Sequence, residues 1–219
     1  MNIVKPIKSI EKIELMKIEL EKRVVKGDGE KRIFEGKRNR AIFCTGINSA
    51  LRVSDIRTLD IKDVFNEDLN LKDVWLKEQK TKKGKEFPIT NTLKVELMNY
   101  IDCYFYIKYR ISIKNIREDE KELVKEVIRT KPLFPSGQGE GYLTRKRIWE
   151  VLNEAGEKLG LEKIGTHTMR KTFGYWFYKR TKDIYLLQRI LNHSSPEQTM
   201  RYIDLSQDEI NEAYRNFGL

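Results

Sequence analysis

Arg52, Arg170, His167, His193 and Tyr202 are the residue types that can together open a phosphodiester without a metal ion. That bond resists attack because its charge repels nucleophiles and its leaving alkoxide is poor. Catalysis must neutralise the non-bridging oxygens, align a nucleophile and protonate the leaving oxygen. A guanidinium binds two phosphate oxygens at once and never loses its charge, which suits Arg52 and Arg170 to the first task. The chain holds only 2 histidines, and both fall in short boxes with the other candidates. One box is His167-Thr168-Met169-Arg170, whose i, i+3 spacing puts both side chains on one helical face. The other runs from Leu191-Asn192-His193-Ser194-Ser195 to Thr199-Met200-Arg201-Tyr202.

His167, near its ordinary pKa, can exchange a proton with a tyrosine hydroxyl, and His193 can donate to a phosphate oxygen. Taken singly, each residue also has a plain structural role. Either arginine suits a solvated surface, His167 a core or helix cap, and His193 a helix C-terminus. Tyr202 stands out among 10 tyrosines by position. Ser195 can cap a short helix, Pro196 suits its first position, and Gln198 sits where a capping box places an amide. A phenolate is a good leaving group, so a covalent phosphotyrosine would be reversible and would suit strand exchange rather than hydrolysis.

The elements that must position these groups are mostly helical. Ile10, Ile13, Met16, Ile18 and Leu20 alternate with charges at helical spacing over residues 9–24, and Gly27-Asp28-Gly29 ends that run. A second helix is expected over 36–50 with Ile42, Phe43 and Ile47 inward, and a short third after Ser54 as its cap. Val74, Leu76, Phe87 and Ile89 read as two strands of a hairpin turning at Thr81-Lys82-Lys83-Gly84-Lys85. Lys80 ends the first strand, where a lysine can follow a minor groove and protonate a leaving oxygen. Lys77, Lys82, Lys83 and Lys85 crowd the same hairpin as phosphate-facing or solvated side chains. A long helix is expected from Asn91 to about Lys114, and the charged stretch 115–130 either extends it or forms a solvated insert. Pro132 to Gly141 reads as a loop, followed by helices near 143–159, 167–180 and 183–192. Arg145, Lys146 and Arg147, near a helix start, are basic candidates for base reading, with a solvated face the better reading. Ile210, Ala213, Tyr214 and Phe217 share one face of a final helix.

Composition favours a polyanionic partner, nucleic acid first and an anionic membrane surface second. Across 219 residues, 43 basic side chains stand against 33 acidic ones, a net charge of +10. No apolar run approaches the ~18 residues of a membrane span, and no signal-peptide core follows Met1, so a cytoplasmic protein is expected. Cys44 and Cys103 stand alone, which argues against a disulfide framework or a zinc site.

Taken in order, the boxes resemble the tyrosine recombinases, the phage integrase family, over about residues 35–205. That family's first box reads like T-G-x-R-x-S-E/D; here Ser49-Ala50-Leu51-Arg52-Val53-Ser54-Asp55 places Arg52 at the arginine and Asp55 at the supporting acid. Gln79-Lys80-Thr81-Lys82-Lys83-Gly84-Lys85 is similar to the family's hairpin and points to Lys80. His167 and Arg170 match H-x-x-R, and Leu191 to Tyr202 matches L-G-H-S-S followed by T-x-x-Y, with Asn192 at the glycine. The resemblance implies an α+β, mainly α, catalytic fold with one small antiparallel sheet. It implies a single catalytic domain over 1–219, with about 1–34 as N-terminal helix and lead-in and about 206–219 as C-terminal helix. In the implied mechanism Tyr202 attacks the phosphate to form a 3′-phosphotyrosine and free a 5′-hydroxyl. Arg52, Arg170 and His193 hold the phosphate, Lys80 is the general acid and His167 serves in proton transfer, with no metal or cofactor.

The implied partner is double-stranded DNA, met as a dimer or tetramer through the C-terminal helix, which suits packing in cis equally well. Only 51 residues precede Arg52, too few for the family's N-terminal core-binding domain, so an accessory DNA-binding partner is a further expectation. The rival readings are a non-recombining DNA-binding relative and relaxation of the type IB topoisomerase kind. A host mobile element is expected, of unspecified type.

Overall fold

The computed structural model describes residues 4–22, 29–137 and 141–217, and not the side chain of Ala213. The expected break at Gly27-Asp28 and part of the Pro132–Gly141 loop lie outside the described residues. Helices α1 (Ile10–Lys22) and α2 (Gly29–Ser49) lead into short α3 (Val53–Ile56) and α4 (Ile61–Val64). Strands β1 (Val74–Lys77) and β2 (Gly84–Phe87) form one antiparallel hairpin. Then come α5 (Asn91–Tyr109), α6 (Lys121–Thr130), α7 (Arg145–Lys158), α8 (Thr168–Thr181), α9 (Ile184–Ile190), α10 (Pro196–Ile203) and α11 (Gln207–Arg215). The fold is mainly helical with a small two-stranded sheet, as the sequence indicates.

α2 is the hub, packed against α1, α5 and α8. Phe34, Ile42, Phe43, Cys44 and Gly46 are buried on different sides of it, so its sequence shows no clean apolar stripe. The sequence therefore does not mark its true start, which lies seven positions before the expected residue 36. Gly46 lets α8 approach, since a Cβ there would stand 2.5 Å from Met169 Sδ. Arg40 grips Glu96 of α5 through Nε at 2.8 Å and Glu21 of α1 through Nη1 at 2.9 Å.

Several local expectations need correction. Ser54 lies inside α3, whose N-cap is Arg52 with no side-chain cap bond. α5 stops at Arg110, which takes a left-handed backbone (φ 59°), short of Lys114. The charged stretch after it neither extends α5 nor stands free, because α6 buries Val124, Val127 and Ile128. The hairpin turn occupies 78–83 and is closed by Glu78 N–H donating to Lys83 O at 2.9 Å. Lys85 therefore falls within β2 opposite Leu76 and points inward, buried rather than solvated. No helix of the described residues is long and apolar enough to cross a membrane.

Candidate active site

Three turns meet over the N-terminal half of α8: the one leaving α2, the hairpin turn, and the one following α9. The first and last each hold a non-glycine residue in the left-handed region, Ala50 at φ 56° and Asn192 at φ 50°. An L-residue pays for that conformation, roughly 1–2 kcal/mol, and glycine would avoid it. These are the two places where the chain departs from a glycine pattern, yet the turns keep the backbone that a glycine would adopt.

Arg170, 1% exposed, sits beneath both turns. Its Nη1 donates to Ala50 O at 2.6 Å and its Nη2 to Leu191 O at 2.5 Å. Lys85 runs beside it, with Nζ donating to Ala50 O at 3.0 Å and to Ile190 O at 2.9 Å. Burial, with Arg170 and Arg52 nearby, pushes the Lys85 ammonium down to about 7. Burial also lowers Arg170, and Glu78 and Asp55 oppose that.

Arg52 lies at the edge of this layer with its Nη1 2.8 Å from Glu78 Oε1. Asp55 is buried in α3, and its Oδ1 accepts the Gln79 N–H at 2.9 Å, joining the first box to the hairpin turn. Glu78 has no exposed surface and receives Thr81 Oγ1 at 2.5 Å and Asn192 Nδ2 at 3.1 Å. Burial pushes its carboxyl up, but Thr81, Arg52 and Asn192 together hold it at about 2.

Tyr202 is delivered from the opposite side by α10. Ser195 caps that helix by accepting Gln198 N–H, and Pro196 starts it. The Gln198 amide oxygen accepts from Ser194 N–H at 3.1 Å, one residue before the position a capping box uses. The Tyr202 hydroxyl lies 3.4 Å from His167 Nδ1. Burial raises the phenol, while the Arg170 and Arg52 guanidiniums pull it down. Burial, Arg145, Arg170, Arg52 and Lys80 all lower His167, so at neutral pH its ring is uncharged and able to accept a proton.

His193 packs edge-on to the Tyr202 ring, centroids 4.9 Å apart. Burial, then Arg170 and Arg52, lower it to about 4. Its Nδ1 lies 3.1 Å from Thr199 Oγ1. When that hydroxyl donates to Nδ1, the proton of the neutral ring sits on Nε2.

Arg52, Arg170, His167, His193 and Tyr202 thus converge, with Asp55 just behind. Lys80 is different: it is exposed in the hairpin turn, and among the described residues its tie to the cluster is the charge felt at His167. Sequence reading assigned no role to Glu78 or Thr199, and expected Lys85, which is buried, to be phosphate-facing or solvated. It also set Arg145 aside as solvated, but Arg145 Nη2 reaches Thr166 Oγ1 at 3.2 Å beside His167. The T-x-x-Y spacing was the available signal for Thr199.

Comparison with known proteins gives this arrangement a context. The phage integrase family profile matches residues 31–209. The probable integrase/recombinase YoeC of Bacillus subtilis is 43% identical over 218 residues, covering 100% of this chain and 99% of that protein. The tyrosine recombinase XerC of Thermodesulfovibrio yellowstonii is 27% identical over 83% of this chain and 54% of its own length. The chain thus spans about half the length of that relative. Among solved structures, the XerH site-specific recombinase bound to palindromic difH substrate in a post-cleavage complex superposes with a TM-score of 0.66. It shares 19% identity, over 98% of this chain and 54% of that one.

Proposed function

The chain belongs to the phage integrase family, and on that premise we propose that it is a site-specific recombinase that cuts and rejoins double-stranded DNA through Tyr202. The observation that carries the reading is the Tyr202 hydroxyl 3.4 Å from His167 Nδ1 and facing the Arg170 guanidinium. In the first step Tyr202 Oη bonds to phosphorus as the bond to the 5′-oxygen breaks. The phenolic proton passes to His167, and the leaving oxygen takes one from Lys80. Arg52, Arg170 and His193 Nε2–H hold the non-bridging oxygens. Arg170 spends one N–H on each of two carbonyls, which leaves other donors of its fork for phosphate. Attack by a 5′-hydroxyl on the phosphotyrosine reverses the step, so no nucleotide is consumed.

Residues 1–219 act, in this reading, as one catalytic domain. Its lead-in is tied to the site helix: Ile7 N–H donates to Thr172 Oγ1 at 2.9 Å, and Trp176 Nε1 donates to Ile7 O at 3.0 Å. The start of α11 is held in cis, where Glu209 accepts Tyr175 Oη at 2.6 Å and Lys8 Nζ at 3.0 Å. Its far end leaves Tyr214 76% and Phe217 74% exposed. That end is proposed to pack on a second copy on DNA.

The test is covalent trapping on metal-free, end-labelled DNA carrying nicks at candidate sites. Wild type should give a slow-migrating adduct on a denaturing gel, and Tyr202→Phe should give none. No adduct on DNA that the protein binds would leave a non-recombining DNA-binding protein as the better reading.

A further inference from the structure

Glu78 lies two positions before Lys80, where the hairpin turn folds under the arginines. A carboxylate with no exposed surface costs several kcal/mol unless its charge is matched. Its surroundings supply that match unevenly. Oε2 takes aligned hydrogen bonds from Thr81 and Asn192. Oε1 faces Arg52 Nη1 at 2.8 Å and Arg170 Nη1 at 3.6 Å. Among the described residues, neither Oε1 nor Arg52 Nη1 has an aligned hydrogen-bond partner, despite that 2.8 Å approach. The carboxylate therefore supplies counter-charge to two neighbouring cations, with Arg52 Nη1 buried against it while 14% of the Arg52 side chain stays exposed. Asp55 has another task, since its Oδ1 is taken by the Gln79 backbone.

We propose that Glu78 is a positioning residue for phosphate binding. Its carboxylate keeps Arg52 beside Arg170 with free N–H groups toward the scissile phosphate, and through Thr81 and Asn192 it fixes the hairpin turn bearing Lys80 to the turn bearing His193. The proposal rests on the recombinase reading above. Like charges held together in a poorly solvated site repel, and a fixed anion behind them offsets that repulsion before any phosphate arrives. The Asn192 side chain reaches Glu78 from a left-handed backbone position. A glycine there would adopt the turn but make no tie. The opposite role, an internal anion competing with phosphate for Arg52, predicts the opposite sign of effect.

The experiment compares wild type, Glu78→Gln, Glu78→Asp and Asn192→Gly in single-turnover adduct formation on nicked duplex, with duplex affinity and thermal melting measured alongside. Glu78→Gln should slow adduct formation about 100-fold at saturating DNA, the scale of a misplaced catalytic group. Its duplex affinity should stay within about 2-fold, since most of that comes from other phosphate contacts, and Glu78→Asp should fall between. A Glu78→Gln rate equal to wild type, or faster, overturns the proposal, a faster one in favour of the competing anion. Where Glu78→Gln fails to fold, Asn192→Gly decides: it keeps the carboxylate and relieves the backbone, and a rate unchanged from wild type overturns the tie. A second readout needs no covalent step. Side-chain 15N resonances of Arg52 and Arg170 are followed while inorganic phosphate is titrated. Glu78→Gln should weaken their response, and an identical response in both proteins overturns the proposal. A missing wild-type adduct would count against the recombinase reading alone.

Discussion

Lys85 and Arg170 share one acceptor: the Ala50 carbonyl oxygen receives Lys85 Nζ at 3.0 Å and Arg170 Nη1 at 2.6 Å. Their other donors go to consecutive carbonyls, Lys85 to Ile190 and Arg170 to Leu191. Two buried cations thus lie as parallel rungs between the turn that presents Arg52 and the turn that presents His193. Carbonyl dipoles, with Glu78 and Asp55 nearby, offset their mutual repulsion.

Lys85→Met keeps the length of the rung and removes its donors. Ala50 O keeps Arg170, but the Ile190 carbonyl loses this donor, and an unsatisfied carbonyl costs about 1–3 kcal/mol, a loss that denaturant unfolding should show. The pH dependence has a definite sign. The folded protein sheds the Lys85 proton near 7, whereas the unfolded chain keeps it to about 10.5. Lys85 therefore adds stability as pH rises across that window. That rise should be absent in the variant.

Thr199→Val tests the tautomer of His193. The substitution is close to isosteric and removes the hydroxyl 3.1 Å from Nδ1. The Thr199 hydroxyl has two acceptors within reach, His193 Nδ1 at 3.1 Å and Ser195 O at 3.3 Å, and donation to Nδ1 is what would keep the ring proton on Nε2. Adduct formation should fall about 10-fold or more, on the scale of general acid–base and donor effects, with DNA affinity unchanged. An unaltered rate would remove Thr199 from the account.

Acid should first unsettle the histidines. Folding lowers His193 from 6.5 to about 4 and lowers His167 in the same direction. Below 6.5 the unfolded chain takes up these protons before the folded one, so stability falls as pH drops toward 4. The lowered carboxyls of Glu78 and Glu209 add their own loss only below 4.5. Melting temperature against pH should therefore decline in two stages, and His193→Gln should flatten the upper one.

Gly46→Ala should act at a distance. The new Cβ would stand 2.5 Å from Met169 Sδ and 2.7 Å from Met169 Cβ, so α2 and α8 must part. Overpacking of this kind costs about 1–3 kcal/mol. Because Arg170 follows Met169, the shift also strains its reach to Ala50. Thermal melting and the adduct assay should fall together.

The candidate site was legible where its chemistry dictates residue type. A phosphate needs guanidiniums and a proton-accepting ring, so Arg52, Arg170, His167, His193 and Tyr202 stand out in fixed boxes. Glu78 and Lys85 carry no such mark, because their meaning depends on hairpin register. With the turn expected at Thr81–Lys85, Lys85 reads as solvated; with the turn at 78–83, it falls in β2 and faces inward. The helices show the same division. α7 and α8 lie within two residues of expectation at each end, as capped or punctuated segments should. α2, buried on several sides, lacks the periodicity that would mark its start, and the end of α5 depends on one left-handed residue, Arg110.

The rungs under the active site also set an order of events during synthesis. Lys85 and Arg170 are made well before the carbonyls of Ile190 and Leu191 that they need. A nascent chain halted before those residues leaves both cations with the Ala50 carbonyl alone of these acceptors, and lacks both His193 and Tyr202. On the proposed mechanism, the chain gains its nucleophile only with α10, the element that carries Tyr202.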